Sequence, residues 1–247
     1  MSDPTHPVAQ CFQPDVFSGH QVVVAGGTGG IGAAIAQAFG RLGADVVAAG
    51  LDTSGVTLDH VARVVDLDVT DQDSVRALFG GYESLGVLVN CAGITFGTRE
   101  YEPAVFYRVL EVNLIGTMLT CLAARNALTR GQGSIVNVSS IGAFSGAARA
   151  PAHGASKAAI VQLTKSLAVS FAPDVRVDAI APGWTRTPMT KEVHEDAEVD
   201  RQIVEHTPLR RWAEEDDICG PVMFLASPAA RFVTGTTLPV AGGNSVA

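Results

Sequence analysis

Three side chains stand at a spacing that suits proton chemistry. Ser140 precedes His153 by thirteen positions, and Lys157 follows His153 by four. A serine hydroxyl can hold a substrate oxygen by a hydrogen bond. An imidazole, with an unperturbed pKa of about 6.5, can take or give a proton near neutral pH. Residues four apart share one face of a helix, so Lys157 is expected over His153. A cation there disfavours the imidazolium and leaves a neutral ring able to act as a base toward an alcohol. The alternative for Lys157 is to snorkel to solvent out of the apolar run Ala158-Ala159-Ile160-Val161. Asn113 adds a fourth polar group inside Val112-Asn113-Leu114. A buried amide there demands a partner or a use.

The elements that must position these groups follow from hydrophobic pattern. Residues 133–140 form an apolar strand with hydroxyls at its carboxyl end, where open α/β sheets bind ligands. Ser139 reads as a packed strand residue. The helix carrying His153 and Lys157 is expected to begin near Pro151. Upstream, Gln21-Val22-Val23-Val24-Ala25 reads as a strand buried on both faces and runs straight into Gly26-Gly27-Thr28-Gly29-Gly30-Ile31-Gly32. Residues 33–42 then form helix, and Gly43 stops it. Strand, glycine loop and helix together make a cradle for a pyrophosphate, because the backbone can approach the anion and the helix N-terminus faces it. Two registers fit, Gly27/Gly29/Gly32 and Gly26/Gly30/Gly32.

A second strand spans 44–49. Asp52 is the acidic candidate to hold an adenosine ribose, two positions beyond the usual strand-end slot at Gly50; alternatively it starts a turn with Thr53-Ser54-Gly55. The segment before the third strand, 64–71, has room for barely two helical turns. A helix over 74–78 follows, with Asp68 or Thr70 placed to cap it. Further strands are expected at 87–91 and 176–180, with a long helix around 100–125 between them. Residues 188–207 are charge-rich and read as a mobile substrate lid, in which His194 and His206 are solvated. Residues 208–212 open the last helical region. Six alternations of strand and helix predict an α/β fold, a doubly wound Rossmann-like parallel sheet in a single domain over 19–247. Residues 1–18, with Pro4, Pro7 and Pro14, read as a loose arm.

Composition narrows the function. Of 247 residues, 47% are hydrophobic and 17% charged, which suffices for a sizeable core. A formal charge of -8 argues against nucleic acid and anionic membrane surfaces as partners. The four cysteines are scattered without metal-ligand spacing, so no metal is expected. Neither a signal peptide nor an apolar run approaching ~20 residues is evident, and a soluble cytoplasmic protein is expected.

Taken together, Gly26-x3-Gly30-x-Gly32, Asn90-x-Ala92-Gly93, Ser140 with Ala155-Ser156-Lys157-Ala158-Ala159, and Pro182-Gly183-x3-Thr187 resemble the short-chain dehydrogenase/reductase family over roughly residues 19–245. The resemblance implies specific roles. Gly26, Thr28, Gly30, Ile31 and Gly32 would hold the dinucleotide phosphates, Asp52 the ribose, and Asp68 and Val69 the adenine. Asn90, Ala92 and Gly93 would line the cofactor, while Pro182, Gly183 and either Thr185 or Thr187 would meet the nicotinamide. Ser140 would hold the substrate oxygen, Lys157 the nicotinamide ribose, and Asn113 would kink its helix and hold a relay water. His153 takes the place of the family's tyrosine. Imidazole is shorter than phenol by roughly 2 Å, so a water or a deeper substrate would have to bridge the gap.

Milder departures are Ala25, Asp178 and Ala241. The resemblance implies an NAD(H)-dependent oxidoreductase interconverting a secondary alcohol and a ketone. NAD is favoured over NADP because Leu51 and the glycine loop are uncharged. A 3-oxoacyl-thioester reductase is the alternative enzyme. A non-redox lyase or a cofactor-binding protein without turnover are the others. The family also implies a homodimer or homotetramer, packed through the helices holding Asn113 and Lys157.

Overall fold

Seven parallel strands form one sheet in a computed structural model that describes residues 6–246. They are β1 (Gln21–Ala25), β2 (Asp45–Gly50), β3 (Arg63–Asp66), β4 (Val87–Asn90), β5 (Ser134–Val138), β6 (Arg176–Pro182) and β7 (Thr237–Val240). Their spatial order is β3-β2-β1-β4-β5-β6-β7. The chain winds outward from β1 to β3, crosses back to β4, and winds outward again to β7. This is the expected doubly wound sheet, with β7 added to the six strands read from the sequence. The winding reverses between β1 and β4, and a crevice opens there beyond the carboxyl ends of the strands.

Both faces of the sheet are covered, which is why the strands read as continuous apolar runs. Val22 and Val24 point into one core, with Ile35, Phe39, Val222 and Met223 of α2 (Gly30–Arg41) and α9 (Glu215–Ala226). Val23 and Ala25 point into the other, where α3 (Gln72–Phe79), α5 (Thr117–Gly131) and α6 (Pro151–Phe171) supply Phe79, Leu128 and Phe171.

Several expectations need correction. Residues 6–18 are not loose, while residues 1–5 of the expected arm lie outside the described residues. A short helix, α1 (Pro7–Cys11), follows His6, whose ring accepts from the Val8 amide and meets Asp216 at 3.1 Å. Val8 and Phe17 are buried, and Phe17 stacks edge-on against Phe39 at 4.9 Å. Two apolar side chains thus anchor a segment whose prolines hide any period.

Between β2 and β3 residues 51–62 form turns, not helix. The loop instead lies on α2, so close that a side chain at Gly40 would meet the His60 carbonyl. Asp71, rather than Asp68 or Thr70, caps α3 through the Asp73 amide. The long helix is three pieces, α4 (Pro103–Leu110), a π-helical turn (Glu111–Gly116) and α5. This run, Pro103–Gly131, is long and apolar enough to cross a membrane by length and composition. In the fold it buries Val109, Val112, Cys121, Ala124 and Leu128 against its neighbours.

Residues 188–207 are largely helical, as a 3-10 turn (Pro188–Thr190), α7 (Lys191–Glu195) and α8 (Ala197–His206). His194 is packed rather than solvated, its ring edge-on to the buried Trp212 at 5.7 Å. His206 stays exposed. The last helix starts only at Glu215, where Glu214 and Asp217 form a capping box.

Candidate active site

The crevice at the switch point is framed by backbone. Gly26 has φ +79, and a Cβ there would lie 2.3 Å from the Ala92 nitrogen, at the end of β4. A Cβ on Gly32 would lie 2.0 Å from the Gly26 carbonyl oxygen. Glycine is therefore obligatory at both, and α2 is pressed onto the turn that leaves β1. Gly30 is also left-handed, at φ +54, whereas Gly29 is extended with open space around it. The geometry singles out the Gly26/Gly30/Gly32 register. The N-terminus of α2 has no side-chain cap, so Gly30, Ile31 and Gly32 present their amides to the crevice as an anion would need. These features fit a dinucleotide.

Thr28 leans over the end of β2: a Cβ on Gly50 would lie 2.3 Å from the Thr28 hydroxyl. A side chain at 50 would meet Thr28, and the nearest acidic residue beyond β2 is Asp52. Asp52 is exposed, has φ 48, and accepts a hydrogen bond from Ser54. Asp66, at the end of β3, accepts from the amide and hydroxyl of Thr53. Asp68 accepts from the amide and hydroxyl of Thr70, and those bonds hold its carboxyl below the usual range. Val69 is buried against Gly116 of the π turn.

Asn90 faces inward, donating to Asn137 at 2.9 Å and accepting from Thr120 at 2.7 Å. Only its backbone, with Ala92 and Gly93, remains for the crevice. Of the two threonines past β6, Thr185 is 2% exposed and donates to the Gly183 carbonyl. Thr187 caps the turn Pro188–Thr190 and faces Gly30, its Cβ 3.8 Å from where a Gly30 Cβ would be. Pro182 ends β6, and Gly183 packs against Ala241, a Cβ there lying 2.8 Å from the Ala241 Cα.

The proton-handling side is built by α6 and the segments it touches. Gly154 lets its first turn press against the 3-10 turn (Ile141–Ala143) that follows β5; a Cβ at 154 would lie 3.3 Å from the Gly142 carbonyl oxygen. This packs the first turn of α6, which carries His153, against the turn that follows Ser140. The Ser140 hydroxyl oxygen accepts from the Gly142 amide at 3.1 Å and keeps its own proton to donate. Ser139 is buried and donates to the Lys157 carbonyl, a packed strand residue as read from the sequence. Lys157 does not snorkel: it is 5% exposed and its Nζ donates to the Val138 carbonyl at 2.7 Å. A Cβ on Gly93 would lie 3.3 Å from that Nζ and 3.4 Å from Asn113 Oδ1, so the turn after β4 closes the same crevice.

Asn113, fully buried in the π turn, clamps Ile94. Its Oδ1 accepts from the Ile94 amide at 2.8 Å, and its Nδ2 donates to the Ile94 carbonyl at 3.0 Å and to Ser156 at 3.1 Å. The amide expected to hold a relay water is thus engaged by protein, and its main-chain carbonyl accepts from Thr117. The Ile94 carbonyl in turn faces His153 Nδ1 at 3.5 Å.

Electrostatics follow from burial. Desolvation first, and the Lys157 charge second, push the His153 pKa down to about 4. The ring is neutral at neutral pH. Desolvation also pulls Lys157 down to about 8. Cys91, in the Asn90-Cys91-Ala92-Gly93 turn, is pushed up to about 11 by burial and stays a thiol.

Sequence reading missed Glu100, in a 3-10 turn (Gly97–Tyr101), which is fully buried and bonded to the His153 amide. Its partner lies 53 residues away, so no local pattern signals it. A cavity of about 500 Å3 lies against the first turn of α6, lined by Tyr101, Gly142, Pro151, Gly154 and Ala155 among others but by none of Ser140, His153 or Lys157. A larger one of about 800 Å3, between α1, α8 and the start of α9, contains none of Ser140, His153 or Lys157.

Known proteins share this fold. The family described as Enoyl-(Acyl carrier protein) reductase matches residues 25–245. The chain belongs to the short-chain dehydrogenase/reductase family, and it is an oxidoreductase of the alcohol/ketone class. It is 36% identical over 246 residues to a 2-dehydro-3-deoxy-D-gluconate 5-dehydrogenase of Bacillus subtilis, covering 93% of this chain and 96% of that one. It is 36% identical over 248 residues to a galactitol 2-dehydrogenase of Cereibacter sphaeroides, covering 93% and 96%. A gluconate 5-dehydrogenase from Burkholderia cenocepacia, solved with NADP and tartrate, superposes with a TM-score of 0.89 at 28% identity, covering 96% of this chain and 100% of that one.

Proposed function

We propose that the protein oxidises a secondary alcohol of a polyol or sugar acid to the ketone, with NAD as the hydride acceptor and His153 as the general base. The observation that carries this reading is the buried, neutral His153 ring facing the Ile94 carbonyl. When bound, the nicotinamide dinucleotide accepts the hydride. The chain's own residues handle the oxygen and its proton. Ser140 donates to the substrate oxygen. The Ile94 carbonyl can only accept, so His153 Nδ1 carries the ring proton and Nε2 presents a lone pair to the hydroxyl. Lys157, held at the end of β5, adds to the burial that keeps the ring neutral and would hold the nicotinamide ribose. Asn113 fixes Ile94. A neutral ring favours taking a proton over giving one, so oxidation is the favoured direction.

Support for the substrate class comes from the relatives, which include a galactitol 2-dehydrogenase and a gluconate 5-dehydrogenase. Preference for NAD is supported by the neutral Thr28, Gly50 and Leu51 and by the acid Asp52, since a 2′-phosphate seeks a cation. Within the crevice, Thr187 rather than Thr185 meets the cofactor, because only Thr187 faces the glycine loop. Exposed Tyr107, Ile115 and Leu122 along the Asn113 helix, with Val169 on α6, support a homodimer or homotetramer. The protein belongs in the cytoplasm, with its dinucleotide pool.

Steady-state turnover on polyols, aldonates and their ketones with NAD and NADP tests this reading, with His153→Phe and His153→Tyr alongside. NAD-linked oxidation lost in His153→Phe supports it. Turnover by His153→Tyr alone, with none by the native protein, overturns it and leaves a disabled or repurposed dehydrogenase.

A further inference from the structure

Glu100 is a carboxylate with no solvent exposure, and nothing so far gives it a purpose. Its Oε1 accepts from the Thr95 hydroxyl at 2.7 Å and the Phe96 amide at 2.9 Å; its Oε2 accepts from the His153 amide at 2.9 Å. Two of these donors lie in the loop after β4 and the third in the first turn of α6. All three partners are donors, which an acceptor-only anion satisfies and an amide cannot.

The bonds have a geometric consequence. Ile94 is the residue before Thr95, and its carbonyl is the group that faces His153 Nδ1. Asn113 fixes that carbonyl from the helix side, while Glu100 ties the loop and the His153 backbone to each other. The separation between Ile94 and the imidazole is therefore set from both ends. We infer that Glu100 is a positioning residue that holds the loop after β4 against α6, so that the Ile94 carbonyl fixes the Nδ1–H tautomer of His153 and leaves Nε2 free. Burial disfavours the charged carboxyl, but the three hydrogen bonds outweigh it and keep Glu100 ionised below the usual range.

The inference rests on the proposed role of His153, and its test separates the two. Nitrogen NMR of the imidazole at pH 7 reports the tautomer without any turnover. The native protein should show the Nδ1–H form in excess. Glu100→Gln should shift His153 to a mixture or to the Nε2–H form. It should also lower kcat for alcohol oxidation by about 10- to 100-fold at similar KM, as displacement of a catalytic group does. Thr95→Val removes only one of the three bonds and should move the tautomer the same way by less; it decides the matter if Glu100→Gln does not fold. An unchanged nitrogen signature in the folded variants overturns the inference. Full turnover by His153→Phe would overturn the base assignment instead, with the nitrogen signature still deciding what Glu100 does.

Discussion

Around Gly26 and Gly32 the crevice is made of backbone, and its three glycines lie within seven positions of one another, closed by the Ala92 backbone at the end of β4. Around His153 it is made of groups from three separate stretches: the Ile94 carbonyl and Glu100 carboxylate after β4, Asn113 in the π turn, and Lys157 on α6. The first region tolerates no added atom at Gly26 or Gly32, because close approach is its working principle there. The second tolerates no lost bond, because each buried polar group there is satisfied by another. A phosphate cradle can therefore be encoded locally, whereas a tuned acid–base group needs the whole fold.

Substitutions on the two sides should accordingly fail in different ways. Lys157→Met should have the largest effect. It removes the buried cation that adds to the desolvation of His153, together with the bond to the end of β5, and kcat/KM should fall about 1,000-fold. Cofactor fluorescence would show how much of that loss is binding. Gly32→Ala comes next, destabilising the fold by about 3 kcal/mol because its methyl lands on the Gly26 carbonyl. A urea midpoint measures it, and a midpoint shifted by less than a third of that would mean the loop can relax.

His153 itself links the second region to pH. Its folded pKa of about 4 lies below the ~6.5 of an unfolded chain, so the unfolded state binds a proton first as pH falls. The stability present above pH ~6.5 is lost between there and about 4, by on the order of 3 kcal/mol. His153→Phe should lack that component, visible as a smaller fall in urea midpoint from pH 7 to pH 4.5 than the native protein shows. The smallest expected effect sharpens the first region. Thr187→Val should weaken dinucleotide binding by roughly 10-fold, consistent with one lost hydrogen bond. Thr185→Val should leave binding unchanged and cost about 1 kcal/mol of stability.

The same contrast explains what the sequence made legible. Apolar runs such as residues 21–25 declare strands buried on both faces, and the glycine run that follows declares a turn into a helix, so the sheet and cradle were readable. Ser140, His153 and Lys157 stand out, and Ser139 is set aside, because their spacing resembles the family's catalytic segment. The folded state of residues 6–18 was not legible, since Val8 and Phe17 acquire meaning only against α2 and α9. Nor was His194, whose packing depends on Trp212, eighteen positions on. Glu100 carries no local signature either, because an acidic residue near a turn ordinarily faces water. Asp52 could be named but not placed: the clash between Thr28 and any side chain at 50 becomes apparent only in three dimensions.

The central claim is that His153 works as a buried neutral base. Its most direct test is the pH dependence of kcat/KM for NAD-linked alcohol oxidation. A single-proton loss of rate centred near pH 4, absent from the residual activity of His153→Phe, is the predicted result. A loss centred near 6.5 would mean the ring is not desolvated, and an acid limb that survives in His153→Phe would assign the proton to another group.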